Sequence, residues 1–231
     1  MKRIGVAAVF AWAAVLPASA NEPGARPVVV ELFTSEGCSS CPPADALLTD
    51  LATSRPDILP LAFHVTYWNS LGWRDPFSFE AATARQKSYR GLSSQYGIYT
   101  PQMVIDGVHD AIGSDHAAVQ GAIRAAAAVA VSGVALKVKR DTDAIVINLP
   151  AASRAGTLWL VGFDRMHRTS VGRGENAGLT LLESNVVRAL EPAGSWAGGG
   201  GSLRHLAPAG ERVAVLLQAP DGQILGAGVL P

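Results

Sequence analysis

Cys38 and Cys41 are the only cysteines among 231 residues, with Ser39 and Ser40 between them. Thiols at this spacing can cycle between dithiol and disulfide, hold a soft metal, or brace a loop. Their surroundings favour the first. The preceding run Val28 to Thr34 (VVVELFT) is continuous and apolar, as in a strand covered on both faces, and the spacing of Ala44, Leu47, Leu48 and Leu51 after it is helical. A C-x-x-C where a strand gives way to a helix is an informative signal. The free N–H groups and partial positive charge of a helix start stabilise thiolate over thiol. Cys38 is therefore the expected nucleophile, and Cys41 resolves the mixed disulfide by intramolecular exchange. Pro42 and Pro43 suit a first helical turn, where backbone N–H groups have no intrahelical partner. Asp45 either helps to cap that turn or stands as a solvated surface acid.

Two alternatives use the same sulfurs. A purely structural disulfide over so short a loop removes only about 2 kcal/mol of unfolded-chain entropy; it would make the protein a non-catalytic binding module. Zinc would need about four ligands, and no second ligand pair stands at a recognised spacing. Cu(I) is less demanding, and two thiolates with His64 would make a copper-binding or metal-delivery module. The redox reading calls for no metal and no cofactor, because sulfur carries the electrons.

Other residues qualify as neighbours of this pair. Tyr99-Thr100-Pro101-Gln102 leads into a short strand, where proline is unusual and marks a turn. His64 lies in an interior-looking strand, as hydrogen-bonded core or as ligand or base. Tyr67, Trp68 and Trp73 follow in a loop at that strand's carboxyl end, where open α/β sheets keep their sites. They could wall a peptide groove or pack the two halves of the chain together. Arg173, Glu175 and Asn176, in GRGENAG, form either a salt-bridged turn or a contact with the active face of the first half.

The elements that must position these groups follow from punctuation and periodicity. Helical segments are expected near residues 42–54, 78–89 and 115–130, the last capped by Ser114 or Asp115. Strands are expected at 28–34, 58–65, 102–105 and 108–112, the last two joined by an Asp106-Gly107 hairpin turn. Alternating strands and helices imply an α/β unit with a mixed sheet flanked by helices. From Ser132 onward only strand-like runs remain, at 134–139, 144–149, 157–164, 179–190, 213–218 and 224–229; these suggest an all-β antiparallel sandwich or curled sheet. Trp196 to Ser202 (WAGGGGS) reads as a flexible connector.

Composition sets the outer limits. At 48% hydrophobic and 16% charged, the chain has material for a core. The first 20 residues read as a secretory signal: Lys2 and Arg3, an apolar stretch from Ile4 to Leu16, and Ala18-Ser19-Ala20 before the cut. That stretch is too short to span a bilayer. Without Lys2 and Arg3, 17 basic residues face 19 acidic ones, a net −2, which argues against a nucleic-acid partner. The expected organisation is a signal peptide at 1–20, an α/β domain at 21–130 and a β-rich domain at 131–231. The mature protein would be periplasmic or secreted, without a membrane span.

The order strand, C-x-x-C, helix, strand, helix, Thr-Pro, strand, Asp-Gly hairpin and helix resembles the thioredoxin-like superfamily over residues 28–130. ELFTSEGCSSCPPAD, FHVTYWNSLGWRDPF, YTPQMVIDG and GRGENAG together resemble a secreted thioredoxin-like family known as domain-of-unknown-function family 1223. The resemblance implies thiol–disulfide exchange on protein or small-molecule thiols, with an unidentified redox partner. Cys38 and Cys41 would be catalytic, and a cis Pro101 with Thr100 would present the substrate chain beside them. Glu31 resembles in location the buried acid of that fold, although a strand-end acid facing water also fits. Ser39-Ser40 and Gly37 replace the residues ordinary thioredoxins carry there, so no reduction potential carries over. The scheme requires sulfurs that solvent can reach, and the Pro101 bend next to them.

Overall fold

Both faces of the first strand are covered, and the rest of the architecture follows from how. In the computed structural model, described for residues 26–92, 97–151 and 154–230, β1 is Val28–Thr34, α1 Pro42–Ser54, β2 Ile58–His64, α2 Glu80–Ser88, β3 Gln102–Ile105, β4 His109–Ile112 and α3 His116–Ala130. The β-rich remainder comprises β5 (Val134–Ala135), β6 (Lys137–Asp141), β7 (Ala144–Leu149), β8 (Gly156–Ser170), β9 (Thr180–Trp196), β10 (Gly201–Leu206), β11 (Arg212–Gln218) and β12 (Ile224–Val229). The proposed signal segment lies outside the described residues. Among those described, no helix is long and apolar enough to cross a membrane.

Nine strands form one mixed sheet in the order β4-β3-β1-β2-β9-β8-β11-β12-β5, and β10-β7-β6 form a second. Alternate residues of β1 serve different cores. Val28, Val30 and Leu32 pack with Ala44, Leu47, Leu48 and Leu51 of α1 and with Val119, Ile123 and Ala126 of α3. Val29 and Phe33 point to the other face, where Phe63, Val161, Phe163, Val187 and Leu216 meet Ala82 of α2. A strand in this position must be apolar throughout. Asp115 caps α3 by accepting from the Ala118 N–H at 3.0 Å.

The large sheet curls strongly. Five strands separate β3 from β12, yet the Ile224 N–H donates to the Asp106 carbonyl at 2.9 Å. Arg26 clamps the closure by donating to both Asp106 carboxylate oxygens (2.9 and 2.8 Å) and to the Ile224 carbonyl (2.8 Å). Asp106 and Gly107 both have positive φ (51° and 70°), as the Asp-Gly pair favours, but the connection is one residue longer than expected: Val108 belongs to the turn, and Ile105 pairs with His109. Gly107 is needed twice over, because a side chain there would collide with the Gly222 carbonyl.

The β-rich half differs from the sandwich expected of it. β9 pairs in parallel with β2 at Ala62 and Val186, so the edge that β2 would expose is extended by the second half instead of ending a separate domain. Face-to-face packing does occur: Val138, Ile145 and Ile147 of the small sheet meet Leu158, Leu160, Val213 and Val215 of the large one. One of the two layers is therefore shared across residue 130. β10 falls partly in the glycine run read as a connector, and pairs with β7 from Gly201 to Leu206.

Candidate functional site

The turn after β1 is tied by backbone and side chain: the Cys38 N–H donates to the Ser35 carbonyl (3.0 Å) and the Gly37 N–H to Ser35 Oγ (3.1 Å). Cys41 is the N-cap residue of α1, with Pro at the first helical positions. The two cysteines are joined by a disulfide with Cα atoms 5.4 Å apart. The Thr100–Pro101 bond is cis, and Thr100 Oγ1 lies 3.3 Å from Cys38 Sγ. Trp68 Nε1 donates to that same hydroxyl at 2.7 Å. Gly113 closes behind the bend, where even a methyl group would press on Ala44, Leu32 and Pro101.

Three of the sequence-derived candidates thus meet at Cys38, and the others take different places. Trp73 Nε1 donates to Glu36 Oε2 at 2.7 Å, in the turn just before the disulfide. Tyr67 packs partly against the core on the concave face of the sheet, and burial raises its phenol pKa. The exposure expected of the sulfurs is not found: Cys38 and Cys41 are both 0% exposed, while Ser39 and Ser40 are open to solvent.

The groups against Cys38 Sγ itself are Thr100 Oγ1 and Ser40 Oγ, each at 3.3 Å, while the loop that carries the disulfide is bonded to polypeptide from the far half of the chain. Beyond Phe163, where β11 stops pairing, β8 and β9 continue as a two-stranded ribbon whose turn spans residues 171–179. Asn176 Nδ2 donates to the carbonyls of Glu36 (2.9 Å) and Cys38 (3.0 Å). Glu175 Oε2 accepts from the Ser39 N–H (3.1 Å) and hydroxyl (2.7 Å). Of the two readings of GRGENAG, contact with the disulfide loop is the one observed.

Beneath the loop lies a group of buried ionisable side chains: Glu36, Asp45, His64, Asp75 and Glu183. His64 Nδ1 is 2.7 Å from Asp75 Oδ2, and its Nε2 is 3.8 Å from Glu183 Oε1. Burial alone would depress the His64 pKa, but the negative charges of Asp75 and Glu183 and the Asp75 hydrogen bond outweigh it and push it up to about 10. Burial likewise opposes ionisation of Asp75; the His64 charge, its hydrogen bond, and the Glu36 and Phe77 N–H groups hold that carboxyl below its ordinary range. Asp45 and Glu183 are raised by burial to about 7 and about 8, against the pull of His64. Four acids and one imidazolium cannot all carry charge in a dry interior. The arrangement therefore holds a His64–Asp75 ion pair beside carboxyls whose hold on a proton burial strengthens, Glu183 most of all.

Asp45 neither caps α1 nor faces water; it is buried and accepts from the Thr34 hydroxyl at 2.8 Å. Its signal was its spacing, since it falls four residues after Cys41 and three before Leu48, on the inward face of the helix. Of the two readings of Glu31, the buried acid is the one observed and the water-facing one is not, but this acid lies away from the disulfide. It is fully buried on the concave face, paired with Arg85 and accepting from the Tyr89 hydroxyl at 2.8 Å. β1 alternation sends it to the side opposite α1. His64 is core, committed to Asp75, and among the described residues no three His, Cys, Asp or Glu side chains are grouped to hold a metal ion.

Comparison with known proteins agrees with this assembly of both halves. The chain belongs to the family described as protein of unknown function (DUF1223), which it matches over residues 29–218. The crystal structure of protein AGR_C_4864 from Agrobacterium tumefaciens is similar, with 30% identity and a TM-score of 0.76 over 89% of this chain and 94% of that one. HBP35 of Porphyromonas gingivalis is similar in fold, with 13% identity and a TM-score of 0.61 over 89% of this chain and 74% of that one. A search of curated proteins gives no significant match.

Proposed function

We propose that this chain is an exported thiol–disulfide oxidoreductase in which a thioredoxin-like unit within residues 21–130 shares its sheet with the β-rich residues 131–231. The observation that carries the reading is the convergence of three distant segments on one sulfur: the helix start bearing Cys38 and Cys41, the Thr100 hydroxyl 3.3 Å from Cys38 Sγ, and Trp68 behind that hydroxyl. In the reducing direction, the Cys38 thiolate attacks one sulfur of a substrate disulfide. The substrate's other sulfur leaves as thiolate and takes up a proton. The Cys41 thiolate then attacks Cys38 Sγ, expelling the substrate's remaining thiolate and forming the Cys38–Cys41 disulfide. Two electrons pass from the protein to the substrate, and an external dithiol partner must return them. The oxidising direction is the reverse, with an external disulfide as electron acceptor. Thr100 and Pro101 would hold the substrate chain, with Tyr67, Trp68 and Trp73 beside it. Residues 1–20 would serve as the export signal.

Because both sulfurs are sealed, this chemistry needs the site to open. That same burial favours a second reading, in which the disulfide only braces a binding module. Cys38→Ser decides between them. The oxidoreductase reading expects a folded protein with no exchange activity toward a dithiol and a model protein disulfide. The brace reading expects wild-type protein to show no such activity, and reduction to lower stability by about 2 kcal/mol with function intact. Unchanged turnover in Cys38→Ser would remove the proposal.

A further inference from the structure

The ribbon over the disulfide is built unlike the body of the sheet. From Asp164 to Ser170, β8 pairs with β9 alone, and β9 meets β2 only at Val186. A two-stranded ribbon has little stability of its own. At its root β9 carries an extra residue, Arg188, between the Gly162–Ala189 and Phe163–Val187 pairs, and Asn185, three residues away, has φ 51°, so β9 departs twice from regular geometry near the ribbon's root. The tip, by contrast, is held together internally. Val171 N–H donates to the Leu179 carbonyl (2.9 Å), Gly178 N–H to the Val171 carbonyl (2.8 Å) and Leu179 N–H to the Asn176 carbonyl (3.0 Å).

Little ties that compact tip to what it covers. Of residues 171–179, only Val171 and Asn176 are buried. Four hydrogen bonds reach the disulfide loop, two from Asn176 and two from the exposed Glu175. Gly174 (φ 80°) lies against the backbone of Gly72 (φ 107°) and against Trp73, and Gly172 faces the Trp73 ring, so the tip adds one aromatic contact and no interlocking side chains of its own there.

We infer that residues 171–179 form a strap whose displacement exposes the Cys38–Cys41 disulfide, with Asn176 as its latch. The strap occupies polar groups that an incoming polypeptide would use: the Glu36 and Cys38 carbonyls and the Ser39 N–H. A redox partner is therefore a chain able to replace an amide donor at those carbonyls. The inference rests on the thiol-exchange reading only for its purpose, since the opening itself is measurable without turnover.

The test is native-state reduction by dithiothreitol, with free thiols counted by maleimide labelling. A dithiothreitol thiolate attacks the protein disulfide, and its second thiol closes the mixed disulfide into the cyclic product, leaving two protein thiols. In wild-type protein the rate should level off at high dithiothreitol, where opening becomes limiting. At low reductant Asn176→Ala should react about 4- to 150-fold faster, because it loses two bonds to uncharged carbonyls, each worth roughly a 2- to 12-fold change. Glu175→Gln, on the surface, should give about 2- to 5-fold and provides the answer if Asn176→Ala does not fold. The inference is overturned if the folded variants react at the wild-type rate, or if wild-type protein reacts as fast as a peptide spanning residues 36–43 with no plateau. Faster reduction in the variants, without turnover of a protein disulfide in any form, would leave the strap standing and remove the oxidoreductase reading.

Discussion

Replacing Glu183 by glutamine should make the folded state insensitive to a titration that now weakens it. The Glu183 side chain is 1% exposed, 3.8 Å from His64 Nε2, and neither carboxyl oxygen has a hydrogen-bond partner among the described residues. Burial there raises its pKa from 4.5 to about 8. The folded chain thus keeps this proton up to about pH 8, whereas the unfolded chain releases it near pH 4.5. Stability is complete below pH 4.5 and is lost as pH rises toward 8, at about 1.4 kcal/mol per pH step, on the order of 4 kcal/mol in all. Glutamine has a similar shape and no proton to lose. All other groups are common to both proteins, so their own titrations largely cancel in the difference. Urea unfolding at pH 4.5 should find the two within about 1 kcal/mol. At pH 8.5 the variant should be more stable by a few kcal/mol, moving its midpoint up by about 1.5 to 2 M for a typical denaturant slope. A difference that does not change with pH, or a variant that is weaker at pH 8.5, would refute the buried protonated carboxyl.

Two further substitutions probe other parts of the assembly. Arg85→Ala should cost about 3 to 5 kcal/mol in urea or thermal unfolding, because it strands the Glu31 carboxylate in the core with Tyr89 as its only remaining hydrogen-bond donor among the described residues. A loss under 1 kcal/mol would show that the concave face admits water. Thr100→Val removes the hydroxyl shared by Trp68 Nε1 and Cys38 Sγ; it should alter the rate of dithiothreitol reduction while moving stability by only about 1 kcal/mol. An unchanged rate would detach Thr100 from the sulfur chemistry.

The elements near the disulfide were legible because local rules and tertiary packing agree there. β1, β3, β7 and β12 have the limits their apolar runs suggest, and the Asp106-Gly107 turn has the positive φ angles its residues favour. The strand pairings were less legible. Nothing in Ala62 or Val186 announces that they meet in parallel, and the two halves had looked separable because their local patterns differ so sharply. β10 escaped notice because glycines at 198–201 outweighed the alternation that follows in Leu203 and His205. β8 runs past its apolar core to Ser170, and β9 past Leu190 to Trp196, because ladder hydrogen bonds, which composition does not encode, continue there.

The site divides along the same line. Cys38, Cys41, Thr100 and Trp68 could be chosen from residue type and local context, since each stands at the end of an element that brings it to the same edge of the sheet. The burial of the sulfurs could not be read that way, because the loop that carries them is bonded to residues more than 130 positions distant. The acids beneath the loop were hidden for a related reason: Glu183 alternates within β9 as any solvated strand residue would, and only the fold of the ribbon against α1 buries it. Thr49 Oγ1 donates to Ser184 Oγ at 3.0 Å at that contact. One ribbon therefore meets two things at once, with Asn176 bonded to the disulfide loop and Glu183 beside His64. Displacing only its tip uncovers the disulfide, whereas lifting it to the root also brings water to the buried carboxyls. The plateau rate of reduction and the pH dependence of stability are thus separable measures of how far the ribbon opens: a plateau that follows the Glu183 titration means opening to the root, and one that ignores it means motion of the tip alone.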